Sequence, residues 1–168
     1  MQTNKKKSSE IIYWTLLFIL AFSMIVYGLA KPIQFQDFGT STSSQVSEGH
    51  QVMWTFYSYT KGYPIVIGLF EVIGGFALFF RRTRLFGLLL LSILLLNIIL
   101  QDYFYDISAI KSAIFYQLIA LVLLAYDYRK IQIIVRALFT PTQKKPKWLY
   151  LAIAFVLAIA LKYIETKI

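Results

Sequence analysis

Glu71 stands inside GLFEVIGGFALFF (68–80), an otherwise apolar run. A charge at the centre of a membrane helix costs on the order of 3 kcal/mol or more, so a carboxylate placed there needs a partner. Such an acid suits a proton, an ion or the polar head of a ligand. Gly68, three residues before it, and Gly75, four after, share its helix face, and Gly74 lies beside them. Small residues on that face let another backbone approach and keep the carboxylate away from lipid. The same spacing rule picks out Ser23, Tyr27 and Lys31 on the preceding apolar segment, Asn97 and Gln101 on the following one, and Gln117 between Ala113 and Ala120 on a later one. Lys31 is the cation expected near Glu71, with a stem long enough to bend inward or snorkel outward. Two uses of Glu71 stay open: a structural carboxylate bonded to Asn97, Gln117 or a tyrosine, or a site for a ligand, proton or ion. Asn97 and Gln117 can equally serve as hydrogen-bonding glue between helices.

Other chemistries are narrowed by composition. With 0 Cys there is no thiolate catalysis or iron–sulfur ligation, and a single His, His50, removes bis-histidine haem and reads as an interfacial residue. No intrinsic cofactor and no metal are expected. Asp102 and Asp106 could join Glu71 as acid and base in an enzyme of the outer leaflet, but no nucleophile stands beside them. The chain is therefore expected not to be an enzyme on its own. A formal net charge of +9 raises nucleic acid as a partner, yet the basic residues cluster at the ends of apolar segments and read as topology signals.

The elements that must position these residues are membrane helices. Hydrophobic residues make up 58% of the 168 and charged residues 15%, with a mean hydropathy of +0.64, far from the averages of a soluble domain. The expected fold is all-α, a polytopic membrane helical bundle in a single domain over 1–168. Its spans are expected at 11–30, 63–80, 85–101, 107–126 and 148–164, the last an Ala-rich fifth crossing. The first span follows a basic head as a signal peptide would, but it is longer than a normal apolar signal core and lacks a small-x-small site, so it is expected to stay uncleaved. Lys31-Pro32 is expected to end it. TSTSSQ (40–45) reads as a flexible link, and Ser47 as the cap of a short interfacial helix with Met53, Trp54 and Tyr57 on one face. RRTR (81–84) is too short to join anything but antiparallel neighbours. QDYFYD (101–106) reads as an aromatic interfacial turn, and 131–139 as an amphipathic stretch for the membrane surface. The aromatics Trp14, Trp54, Tyr103, Tyr105, Trp148 and Tyr150 read as interfacial anchors.

Orientation follows from Lys and Arg near the helix ends, about 12 on the odd segments against 5 on the even ones. This places the N-terminus inside and the C-terminus outside. Glu71 then lies roughly 12 Å below the outer end of its span, Lys31 at the outer rim, and Gln117 near mid-membrane. The polar stripes converge in the outer half.

YGLAKPIQF (27–35), YPIVIGLFEVIGGFALFFRRTRLFG (63–87) with its Gly-x-x-Glu-x-x-Gly-Gly core, and LLNIILQDYFYDI (95–107) resemble the DoxX family of small bacterial membrane proteins. The resemblance covers about 11–126 and implies a four-helix core, to which 148–164 is an addition. It implies residence in the bacterial cytoplasmic (inner) membrane and association with redox complexes, and it suggests a quinone as the ligand. The expected function is a non-catalytic subunit or accessory protein of a larger membrane complex. Its outward-facing polar pocket, around Glu71 with Lys31, Asn97, Gln101, Gln117 and Tyr27, is expected to hold a lipid-like ligand or a partner segment. The partners implied are membrane lipids and another membrane protein or a second copy, with no nucleic acid. The alternative is a small proton-linked transporter that titrates Glu71, against which stand the missing polar residues of the inner half and the absence of an inverted repeat.

Overall fold

The chain is described from a computed structural model over residues 2–35, 46–140 and 147–167. The described residues form seven helices and no strand: α1 (Gln2–Gln34), α2 (Glu48–Ser58), α3 (Gly62–Phe79), α4 (Arg84–Phe104), α5 (Ile110–Tyr126), α6 (Tyr128–Phe139) and α7 (Trp148–Glu165). α1, α3, α4 and α7 are long and apolar enough to cross a membrane. α5 is apolar but has 17 residues, about 25 Å at 1.5 Å per residue, at the short end of the spanning range. The protein is an all-helical membrane protein.

The chain divides into two compact units, Met1–Ile131 and Gln132–Ile168. The first is a bundle in which α1 packs on α3, α3 on α4, α4 on α5, and α5 back on α1. The four-residue connection after α3, 80–83, makes α3 and α4 neighbours, as its length requires. Leu17, Leu20, Leu78, Leu88, Leu91 and Leu123 fill the interior with no exposure at all. Large apolar residues such as Phe22, Ile93 and Leu118 cover the outside, a surface suited to lipid rather than water. In the second unit α7 is an apolar helix whose 18 residues include none that is buried. α6 begins at the end of the first unit and sets Ile131, Ile134, Val135 and Leu138 on one face with Arg129 and Arg136 opposite, and this amphipathic helix starts three residues earlier than expected.

Several boundaries differ from the sequence reading. α1 does not end at Lys31-Pro32 but runs through Pro32 to Gln34. Proline supplies no N–H to the carbonyl four residues back, here that of Gly28. A Cβ built on Gly68 would fall on that Gly28 oxygen, so the freed carbonyl is turned to a neighbouring helix. α4 passes Gln101 and continues to Phe104, which draws Asp102 and Tyr103 out of the expected turn and into the helix. The turn itself is Tyr105–Asp106, with Asp106 at φ 53, a left-handed conformation that Asp tolerates better than most residues. The first turn of the expected fourth span becomes the connection to α5. The link at 40–45 lies outside the described residues.

Candidate functional site: a charged cavity beside α2

The site begins with a close crossing of α1 and α3. Gly28 and Gly68 face each other so closely that a Cβ on either would fall on the other's carbonyl oxygen, and a Cβ on Gly75 would meet the Ala21 carbonyl oxygen at 2.9 Å. Absent side chains at these points allow the backbones to touch. Three residues beyond each member of the Gly28–Gly68 pair stand Lys31 and Glu71. Lys31 Nζ lies 3.4 Å from Glu71 Oε1, with side-chain exposures of 12% and 2%. The acid points into the bundle with its expected cation.

Beside this pair is a cavity of about 140 Å³, room for several waters or a group of about one ring. α4 contributes Leu95, Ile98, Gln101 and Asp102 to its wall, residues that share a face at helical spacing. Asp102 is 4% exposed. Glu71 Oε2 and Asp102 Oδ2 are buried and have no hydrogen-bond partner among the described residues.

α2 closes one side. Ser47 caps it as expected, accepting from the His50 amide at 3.2 Å, and its hydroxyl reaches the carbonyls of Tyr105 and Asp106 at 3.5 and 3.4 Å. A Cβ on Gly49 would meet the Tyr105 carbonyl oxygen at 2.7 Å, so α2 rests directly on the turn after α4. Its Met53 and Tyr57 bury against Phe35 and Ile107, with Trp54 partly covered beside them. The Phe35 and Tyr57 rings stack at 4.6 Å. The Tyr57 hydroxyl donates to Gln101 Oε1 at 2.8 Å, and burial pushes its pKa up to about 12, so it remains a donor across the physiological range. His50 stacks on Trp54 at 3.9 Å, and burial lowers its pKa. Replacing Gly49 with Val is expected to lift α2 from the turn. With Trp14 and Trp148 changed to Phe, the emission of Trp54 should shift to the red and quenching by acrylamide should rise; an unchanged spectrum would contradict the docking.

The expected pocket residues separate into two groups. Glu71, Lys31, Gln101 and Tyr27 all line the cavity, Tyr27 with its ring edge-on to Tyr116 at 5.9 Å. Asn97 is exposed and is not on the wall. Gln117 is also off the wall and donates to Ser92 Oγ at 2.8 Å, a link between α4 and α5. Gly74 packs on the Leu91 side chain and so serves the α3–α4 contact rather than the charge pair.

Three residues of the site fall outside the expected pocket. Asp102 was read as a turn residue and weighed beside Glu71 only as an acid or base of an enzyme, Tyr57 was read as part of an interfacial face, and Phe35 was not singled out. The i, i+3, i+7 spacing of Leu95, Ile98 and Asp102 carries the signal for the first. At the opposite end of α3, Arg84 departs from its reading as a loop charge. It is 9% exposed, donates through Nε to the Leu78 carbonyl at 2.9 Å and through Nη1 to the Tyr13 hydroxyl at 3.1 Å, and lies 4.8 Å from the Trp14 ring centre. Trp14, expected to be an interfacial anchor, thus also stacks against a cation.

Fold and site together define a small helical membrane protein with a charged cavity between its helices. Over 124 residues the chain is 32% identical to YwoB of Bacillus subtilis (strain 168), described as an uncharacterized protein, and the match covers 73% of this chain and 80% of YwoB. The chain belongs to the YwoB family. No protein-family model and no solved structure matches it.

Proposed function

We propose that the protein is a non-catalytic subunit or accessory protein of a larger complex in the bacterial inner membrane, and that its outward-facing cavity receives the head group of a lipid-like ligand or a segment of a partner. One observation carries this reading: a cavity walled by Lys31, Glu71 and Asp102, two of whose carboxylate oxygens are buried without a donor among the described residues. Binding sites are typically apolar hollows with a few placed polar groups, and this wall has that composition. A DoxX-like core is supported by the bundling of α1, α3, α4 and α5. The resemblance suggests a quinone, whose carbonyls Lys31 could meet. In this reading the chain has no redox centre of its own.

The reading is tested by purifying the protein in a mild detergent and extracting the lipids that accompany it. Wild type should be enriched in one lipid class relative to the membrane, and Glu71→Gln should lose the enrichment by about tenfold, the equivalent of one charge-assisted contact. Equal lipid profiles would remove the ligand reading. A second reading, proton-linked transport through Glu71, gains support from the Gln117–Ser92 pair and Arg84, which continue polar groups along the bundle away from α2. Proton-driven flux in proteoliposomes that disappears in Glu71→Gln would put it first.

A further inference from the structure

We infer that the cavity takes a primary ammonium group, the head of an amine-bearing molecule, held by Asp102 and Glu71. The inference rests on the ligand-binding reading above and names its ligand class. Among the described residues, two carboxylates and one ammonium border the same small space. Lys31 is engaged by Glu71 Oε1 at 3.4 Å, which leaves Asp102, at 4% exposure, as the acid in excess. Charge is expensive to leave unmatched away from water.

Hydrogen bonding points the same way. The buried atoms lacking partners in this cavity, Glu71 Oε2 and Asp102 Oδ2, are both acceptors. Gln101 Oε1 already accepts from Tyr57. Among the described residues, the buried wall atoms left without a partner are thus acceptors, and an ammonium brings them three donors with its positive charge. A quinone carbonyl or a carboxylate would add further acceptors and leave Asp102 as it is. The walls suit a cation too: Phe35, Trp54, Tyr57 and Tyr116 place aromatic rings around the space, and ring faces attract ammonium groups. Lys31 Nζ already lies 5.9 Å from the Phe35 ring centre. A volume of about 140 Å³ admits an ammonium and a few methylenes.

The test uses the full chain in a neutral maltoside, with Trp14 and Trp148 replaced by Phe so that Trp54 on the cavity wall reports occupancy. Octylammonium, octanol, octanoate and propylammonium are titrated separately. Octylammonium should saturate the signal at a concentration at least about tenfold below octanol and octanoate, one charge-assisted contact's worth of discrimination. Asp102→Asn should erase that preference, and Asp102→Glu should keep most of it. Propylammonium binding as tightly as octylammonium would identify a free amine as the source, and weaker binding a lipid-like one; both support the inference. Octanol or octanoate matching octylammonium would overturn it while leaving a ligand site in place. A preference that survives in a folded Asp102→Asn would also overturn it. No Trp54 response to any probe would overturn both the inference and the reading beneath it. Should Asp102→Asn fail to fold, the wild-type ranking still decides.

Discussion

Replacing Lys31 with Met is expected to lower the apparent unfolding temperature in detergent by roughly 3–10 °C. Glu71 is 1% exposed and its ion-pair partner is Lys31. Removing one member of a buried pair strands the other, at about 3–5 kcal/mol when the charge persists. A carboxylate can shed its charge by taking up a proton, which limits the loss to roughly half of that range. For a chain of this size each kcal/mol moves the midpoint by about 2–4 °C. Glu71→Gln alone should cost less, because a neutral amide tolerates burial and Lys31 can snorkel outward. The double replacement should recover part of the loss seen with Lys31→Met. Strict additivity of the two would mean that the residues do not act as a pair.

A larger effect is expected from Gly68→Leu. The atom that a Cβ would strike there is the Gly28 carbonyl oxygen, and the Lys31 Cβ stands 3.0 Å away. Overpacking typically costs about 1–3 kcal/mol when side chains can yield, but a backbone oxygen in a helix cannot rotate aside. The loss should therefore exceed about 3 kcal/mol, seen as a drop of more than roughly 10 °C or as loss of a monodisperse species on size exclusion. Two other glycines calibrate the result. Gly74→Ala meets the Leu91 side chain, which can shift, and should cost less than Gly68→Ala. Gly62→Ala meets nothing within 4 Å and should be tolerated. If Gly68→Leu behaves as mildly as Gly62→Ala, the close crossing of α1 and α3 is wrong, and with it the placement of Lys31 beside Glu71.

The charge pair was legible because its signal is local. Gly68, Glu71 and Gly75 share a face by spacing alone, and an acid in an apolar helix has few cations to choose from. Lys31 and Tyr27 lie a turn apart on α1, and both reach the cavity. Asn97 was misjudged because its i, i+4 spacing from Gln101 was taken to continue the polar face, whereas Gln101 stands at the edge of that face. The face of α4 that meets the cavity runs through Leu95, Ile98 and Asp102, and Asn97 lies roughly 130° from its centre. Asp102 was left out of the expected pocket because the aromatic run around it looked like an interfacial turn, whereas α4 gains a further turn before Asp106 breaks it with a positive φ. Which arginine of RRTR folds back was not legible at all. That choice depends on Tyr13 and Trp14 arriving from α1, a tertiary contact about seventy residues away in sequence. α2 was placed correctly by its Ser47 cap, but its role in closing the cavity depends on Gly49 meeting the backbone of Tyr105.

The most direct test of a cavity that opens outward around the charge pair is chemical access to its wall. The chain has no native cysteine, so Ala113→Cys, on the wall and 6% exposed, supplies a single thiol. Leu123→Cys, in the core and fully covered, supplies the control. A small, membrane-impermeant cationic thiol reagent added to right-side-out vesicles should modify the thiol at 113 and leave the one at 123 intact. Modification at 113 only from the opposite side, or from neither side, would contradict an outward-facing cavity.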